Sequence, residues 1–257
     1  MMRRLLKLID IHSVGNAKVY LIAGGGKCYT DIAAKFCRSS KSIEEIIASD
    51  YNKKLVQQIV DSGHLAATEF DTYIFGIENV SRVFEAQLIR KRMASYMVSS
   101  GRVDHKEIVN DIILPNNLNI VNVKSDSGHT LIEILTDIDS WYVNAIKAGV
   151  KAEDARYLLP QGTAKKIIFA CNSHGLLDWF KIRCCLRAQE EIRSVAMQIL
   201  KICKETQPDI FKDAGPSCKA LGFCPEHEQC ELFKGKIHNL HDIKKAIKEN
   251  RLIIKSE

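Results

Sequence analysis

The spacing of apolar residues changes period between positions 69 and 97, and this change limits the possible folds more than any other feature. Tyr73, Phe75 and Ile77 alternate with more polar neighbours, as in a half-buried strand, whereas Val80, Val83, Phe84, Leu88 and Ile89 recur at helical spacing. A strand over 69–77 is therefore expected to run into a helix from about Val80 to Met97. Gln87, Arg90 and Lys91 then fall on neighbouring faces near its C-terminal half, and the basic segment leaves the helix for a loop.

Other segments add strands and helices in no regular order. Residues 3–12 read as a short strand, and Gly24-Gly25-Gly26 is a turn, because no Gly-Lys-Ser/Thr follows at phosphate-loop spacing. Ser42 with Glu45 and Thr130 with Glu133 have capping-box spacing, and the second opens a helix that continues to Gly149. Asp50 opens a helix through Leu55, Val56, Ile59 and Val60 that stops at Gly63. Ala152 to Leu159 forms a short helix ended by Pro160, and Ile167 to Cys171 a buried strand. Asn172 or Ser173 caps a helix holding Leu176, Leu177, Phe180 and Ile182, and a further helix carries Ile192, Val195, Ile199 and Leu200. Beyond Pro208 a loop precedes a short charged helix. This mixture, without βαβ alternation, predicts an α+β fold.

The length of 257 residues suits one large domain, read as 1–215, with a cysteine-rich loop and helix over 216–257. Lysine and arginine number 37 against 31 aspartates and glutamates, an excess compatible with anionic ligands but too diffuse for a nucleic-acid binder. No run approaches the roughly 20 apolar residues that span a bilayer, and the first residues lack a signal-like apolar core, so neither membrane nor nucleic acid is an expected partner and the expected location is cytoplasmic. Nine cysteines, an odd number with Cys184 beside Cys185, fit reduced thiols better than a disulfide framework. Cys218, Cys224, His227 and Cys230 fall close together before His238 and His241, but gaps of five residues between the cysteines match no tight zinc spacing, and no metal is assigned. Trp141 and Trp179 read as core or subunit-contact side chains, His105 and His129 as surface groups, and Glu190 and Glu191 as partners in helix-face ion pairs with Arg187 and Arg193.

The stretch from Gln87 to Arg102 holds Arg90, Lys91, Arg92 and Arg102 with Ser99-Ser100-Gly101, and guanidinium forks beside hydroxyl and backbone donors suit a phosphate. Arg156 and Arg183 join the candidate anion-binding residues. Taken alone, the same residues also describe a solvated basic helix end.

The order of several segments resembles the flavin-dependent thymidylate synthases. Gly63-His64 followed by Glu69, then Val80-Ser81-Arg82 leading to Gln87 and the basic stretch, then Ala155-Arg156-Tyr157-Leu158-Leu159-Pro160, then Asn172 to Arg183 and Ala188-Gln189-Glu190-Glu191-Ile192-Arg193, are similar to that family's segments in its order. The resemblance implies an α+β homotetramer with sites shared between subunits. It also implies methylation of dUMP to dTMP with methylenetetrahydrofolate, FAD and NADPH, a step in nucleotide biosynthesis. Positions matching the family's dUMP contacts are Gln87, Arg90, Ser100, Arg102, Arg156 and Arg183, the last at the uracil ring, where a cation favours attack by C5. Positions matching flavin contacts are His64, Arg92 and Asn172, with Lys91 and His174 as altered donors. Ala66, Lys91, Met97, Val98, His174 and Asp178 stand where Thr, His, Asn, Glu, Arg and Asn are usual. The alternative is a relative that keeps the nucleotide pocket but has lost tight FAD binding or acts on a different pyrimidine nucleotide.

Overall fold

A computed structural model describes residues 10–26, 28–100, 111–119, 123–221, 224–226 and 230. In chain order they form β1 (Asp10–Ser13), β2 (Lys18–Ala23), α1 (Tyr29–Arg38), α2 (Ile43–Ala48), α3 (Lys53–Asp61), a 3-10 helix (Leu65–Phe70), β3 (Thr72–Ser81) and α4 (Arg82–Leu88). Then come β4 (Ala94–Val98), β5 (Asp111–Leu114), α5 (Asn116–Asn119), α6 (Leu131–Lys147), α7 (Ala152–Ala155), a 3-10 turn (Arg156–Leu158) and β6 (Ala164–Asn172). The last are α8 (Ser173–Arg183), α9 (Glu190–Thr206), α10 (Pro208–Phe211) and α11 (Ser217–Leu221). The α+β class holds. The chain divides into two compact units, one from residues up to Ala23, 74–171 and 190–195, the other from 24–73, 172–189 and 196 onward.

The first unit is built on a four-stranded sheet of order β2-β3-β6-β4, with a separate parallel pair of β1 and β5. β2 runs antiparallel to β3, and β4 antiparallel to β6. The alternation read in the sequence sends Phe75, Ile77, Ile167, Phe169 and Cys171 inward. Phe169 is sandwiched between Phe75, with ring centroids 6.3 Å apart, and Tyr96, at 5.5 Å and 11° between planes. α6 begins at the Thr130–Glu133 capping box and packs Leu135 on Ile112 and Leu114. Its Tyr142 packs on Ala155.

The predicted helix from Val80 to Met97 is corrected: α4 ends at Leu88, and residues Ala94–Val98 form β4. The apolar spacing of Met93, Tyr96 and Met97 continued the helical period by coincidence, whereas burial along β4 alternates. A single hydroxyl enforces the reversal. Tyr96 Oη donates to Leu88 O at 3.1 Å and to Lys91 O at 2.5 Å, tying the strand to the helix end while its ring stacks on Phe169. β2 and β5 did not stand out in the sequence. The ion pair read for Glu191 is also corrected: it turns inward, 3% exposed, to accept from Ser81 N at 2.7 Å and Ser81 Oγ at 2.6 Å, while Glu190 stays on the surface and accepts from Asn116 Nδ2 at 3.1 Å. Trp141 is 49% exposed, so it is no core residue.

The second unit is helical. The Ser42–Glu45 capping box opens α2 as expected, but Asn52 rather than Asp50 caps α3, its side chain accepting from Leu55 N at 3.1 Å. α1 has no cap of its own at Cys28. The buried Asp71 carboxylate serves instead, accepting from Tyr29 N at 2.8 Å and Thr30 N at 2.9 Å, where an anion complements the helix dipole. The Asp71 carbonyl accepts from Ser173 N at 2.7 Å, so one residue fixes the starts of both α1 and α8. Phe211 packs edge-on to Tyr73 and Phe180 in this core. The glycine turn demands glycine: Gly24 has φ +104°, and a Cβ there would stand 2.6 Å from Thr72 O. The charged terminal helix read beyond Pro208 lies outside the described residues, and residues 3–9 of the first predicted strand do too. No helix among the described residues is long and apolar enough to cross a membrane.

Candidate active site

Within the first unit the end of β3, the start of α4, the end of β4 and the approach to β6 enclose a cleft of 580 Å³. Ser81 closes β3 and caps α4 by accepting from Phe84 N at 3.1 Å, and the buried Glu191 holds Ser81 in turn. Arg82 and Glu85, one turn apart on α4, therefore share the face that lines the cleft. β4 supplies Val98 and leads into Ser99 and Ser100. Ser99 is pinned to β6 twice, its N donating to Lys166 O at 2.8 Å and its Oγ accepting from Lys166 N at 3.1 Å. The 3-10 turn adds Arg156, whose Nε donates to Glu153 O at 3.2 Å, and Gln161 and Lys165 complete the wall.

The electrostatics favour an anion. Arg82, Arg156 and Lys165 face one carboxylate, Glu85, across a largely polar surface. Lys165 is 8% exposed, and burial holds its ammonium below the usual lysine value; Glu85 offsets this in part, while Arg82 and Arg156 add to it. Glu85 Oε2 is buried and has no hydrogen-bond partner. A bound anion would relieve both the crowding of cations and the cost of burying the lysine.

The structure brings two of the six expected nucleotide residues, Ser100 and Arg156, into this cleft. Gln87, half-buried on α4, and Arg90, exposed just past it, belong to the same unit but are not among the cleft's lining residues. Arg102 lies outside the described residues. Arg183 ends α8 in the second unit.

The expected flavin residues also divide between the units. Lys91 and Arg92 occupy the turn between α4 and β4, and Met97, 70% exposed, projects from β4. His64 is exposed ahead of the 3-10 helix, and Asn172 caps α8 by accepting from Gly175 N at 2.8 Å. His174 lies between carboxylates, Nδ1 3.0 Å from Glu69 and Nε2 3.8 Å from Asp178. Asp178 is itself paired with Lys181 at 3.0 Å.

Arg82, Glu85, Gln161 and Lys165 were not singled out from the sequence. Lys165 carried a signal: extending the alternation of Ile167, Phe169 and Cys171 back by one step places it on the inward face, where a lysine needs an anionic partner.

The family described as "Thymidylate synthase complementing protein" matches residues 27–209. A flavin-dependent thymidylate synthase of Geobacter sulfurreducens is 36% identical over 200 residues, covering 76% of this chain and 84% of that protein. The corresponding enzyme of Saccharolobus solfataricus is 32% identical, covering 79% of this chain and 78% of that protein. Among solved structures, a UMP/dUMP methylase from Streptomyces cacaoi bound with 5-Br dUMP superposes with a TM-score of 0.62 at 18% identity, covering 79% of this chain and 96% of that one.

Proposed function

The chain belongs to the flavin-dependent thymidylate synthase family, and from that premise we propose that it methylates dUMP at C5, with the cationic cleft of the first unit receiving the nucleotide's phosphate. The observation that carries this reading is the buried Lys165 beside Arg82 and Arg156 in a cleft that Ser99 and Ser100 border. A monophosphate dianion offers paired acceptors to the guanidinium of Arg156, a point-charge partner to Lys165 and an acceptor to the Ser100 hydroxyl. Arg102 and Arg90 extend the phosphate-binding set, and Gln87 orients the nucleotide. Arg183 carries the catalytic role: a cation at the uracil carbonyl stabilises negative charge as it builds in the ring and so raises the nucleophilicity of C5. No thiol nucleophile enters the mechanism. The expected functional assembly is a homotetramer.

The residues present fit a flavin through cationic and polar donors: the exposed Arg92 and His64 and the half-buried Lys91 suit a pyrophosphate, and the half-buried Asn172 and His174 complete the set. Reduced FAD, when bound, supplies the hydride that converts the transferred methylene to a methyl group, with NADPH as reductant and methylenetetrahydrofolate as one-carbon donor. His174 gives up the Glu69 contact if it is to turn to a phosphate.

A second reading, a nucleotide-binding relative without tight flavin binding, rests on Met97 and Val98, which offer no hydrogen bond where amide and carboxylate are usual. The two readings separate by experiment. The chain is incubated with dUMP, methylenetetrahydrofolate, FAD and NADPH, and dTMP is read by mass. Formation of dTMP only when all four are present supports the enzyme. Calorimetric dUMP binding with no dTMP, and no quenching of added FAD fluorescence, refutes the enzyme and leaves the binding protein.

A further inference from the structure

α6 carries more apolar surface than its own unit covers. One side of its 17 residues is used: Leu135 packs on β5, and Tyr142 packs on Ala155 with Ile146 beside it. On the flank next to that side, Leu131, Ile134, Ile138, Trp141 and Ala145 recur at alternating intervals of three and four, the spacing by which two helices pack along a seam. Leu131 is 37% exposed, Ile134 36% and Trp141 49%, while Ile138 and Ala145 are half-buried. The exposed Glu133, Asp137, Ser140 and Asn144 take the side away from the core, as in an ordinary surface helix. Apolar residues scattered singly over a surface are common, but a stripe in register along about 25 Å of helix is not.

Two features of the stripe select its occupant. It is complementary to itself when two copies of α6 cross antiparallel about Ile138. Leu131 then faces the partner's Ala145, Ile134 faces the partner's Trp141, and Ile138 meets its own copy on the two-fold axis, so the lone alanine meets a leucine and the lone tryptophan an isoleucine. Antiparallel packing also opposes the two helix dipoles and sets the end that carries Glu133 alongside the partner's end that carries the basic last turn, whereas parallel packing would bring the two acidic first turns together.

We propose that this flank of α6 is a self-association face, on which a second copy of the chain seats its own α6 antiparallel, with Ile138 on the two-fold axis and Trp141 as the principal anchor. Tryptophan buried at the centre of an interface contributes more to association than most side chains. Trp141, too exposed for the core of one protomer, is then a subunit contact. Ile132 and Val143, also exposed, lie on the other flank of the buried side and stay outside this contact. The inference rests on the helix alone and stands or falls apart from the reaction proposed above.

Light scattering on the full chain at micromolar concentration measures its mass in solution. Trp141→Glu puts a charge at a position already exposed in the protomer and should halve the mass of the assembly, whereas Val143→Glu, 37% exposed on the other flank, should keep it. Ile138→Cys should form, under mild oxidation, a disulfide between two copies of the introduced thiol, mapped by peptide mass spectrometry, and Ser140→Cys on the polar side should not. The cross-link decides the matter if Trp141→Glu fails to fold by circular dichroism. A wild-type chain that is monomeric at that concentration overturns the proposal, and so does a folded Trp141→Glu variant of unchanged mass or an Ile138→Cys variant without the mapped disulfide. Dissociation by Val143→Glu as complete as by Trp141→Glu overturns the choice of flank.

Discussion

Replacing Lys165 by methionine should weaken nucleotide binding while leaving the fold as stable or more so. The ammonium is 8% exposed, and burial depresses its pKa below the ordinary 10.5, with Glu85 opposing and Arg82 and Arg156 adding to the shift. A depressed folded-state value means that the stabilising contribution appears only above the unfolded value. At neutral pH the charged lysine is therefore a net cost to the fold. Methionine keeps the length and flexibility of the chain without the charge, and Arg82 remains one turn from Glu85 on α4 to balance that carboxylate. The urea midpoint at pH 7 should hold or rise. The phosphate, in contrast, loses a charge-assisted contact in a site sheltered from water, worth about 1.5–3 kcal/mol, or roughly 10- to 150-fold in Kd. Calorimetry with dUMP and urea denaturation of the same preparations read the two effects. Unchanged dUMP affinity would refute the placement of the phosphate; weaker binding with a matching loss of stability would show that the lysine holds up the fold instead.

The same lysine predicts linkage to pH: dUMP binding should take up protons on the alkaline side, and affinity should fall as pH rises through the depressed Lys165 value, a dependence that Lys165→Met flattens. Calorimetry in buffers of different ionisation enthalpy measures it. Glu191→Ala removes both bonds to Ser81 and leaves a buried amide unpaired, for a loss of about 2–3 kcal/mol by chemical denaturation. Burial holds the Glu191 carboxyl above its ordinary value despite the Ser81 bonds. The stability it contributes is thus full below the unfolded value and fades as pH rises through the folded one, and Glu191→Gln should reduce that slope in denaturation series across pH. Tyr96→Phe keeps the ring on Phe169 but loses the bonds to Leu88 and Lys91, and should lower stability by about 0.5–1.5 kcal/mol, seen as a reduced Tm.

Those elements were legible in the sequence whose signals are local. Both capping boxes, the inward face of β3 and the Asn172 cap follow from contacts within a few residues. β2 was silent because most of Lys18–Ala23 is exposed, so its apolar residues follow no clean inward alternation. β4 was hidden because Tyr96, which reverses the chain, acts through a stack on β6 and hydrogen bonds to backbone carbonyls that no spacing rule reveals. Asp50 lost the cap of α3 to Asn52, whose own N–H donates to Asp31 at 3.2 Å, a partner set by tertiary structure. In the cleft, Ser100 and Arg156 were already candidates from the chemistry of hydroxyl and guanidinium donors, and family order pointed to the same two positions. Lys165 and Arg82 were passed over because a lysine at the head of an apolar strand and an arginine opening a helix read as ordinary surface charges until burial and neighbours are known.

The central claim is that the cleft reads the phosphate of a pyrimidine nucleotide, and the most direct measurement is calorimetric titration of the wild-type chain with dUMP and with deoxyuridine at two salt concentrations. The account predicts saturable dUMP binding that weakens as salt rises, with deoxyuridine bound far more weakly. Equal affinity for the two, or dUMP affinity indifferent to salt, would contradict it.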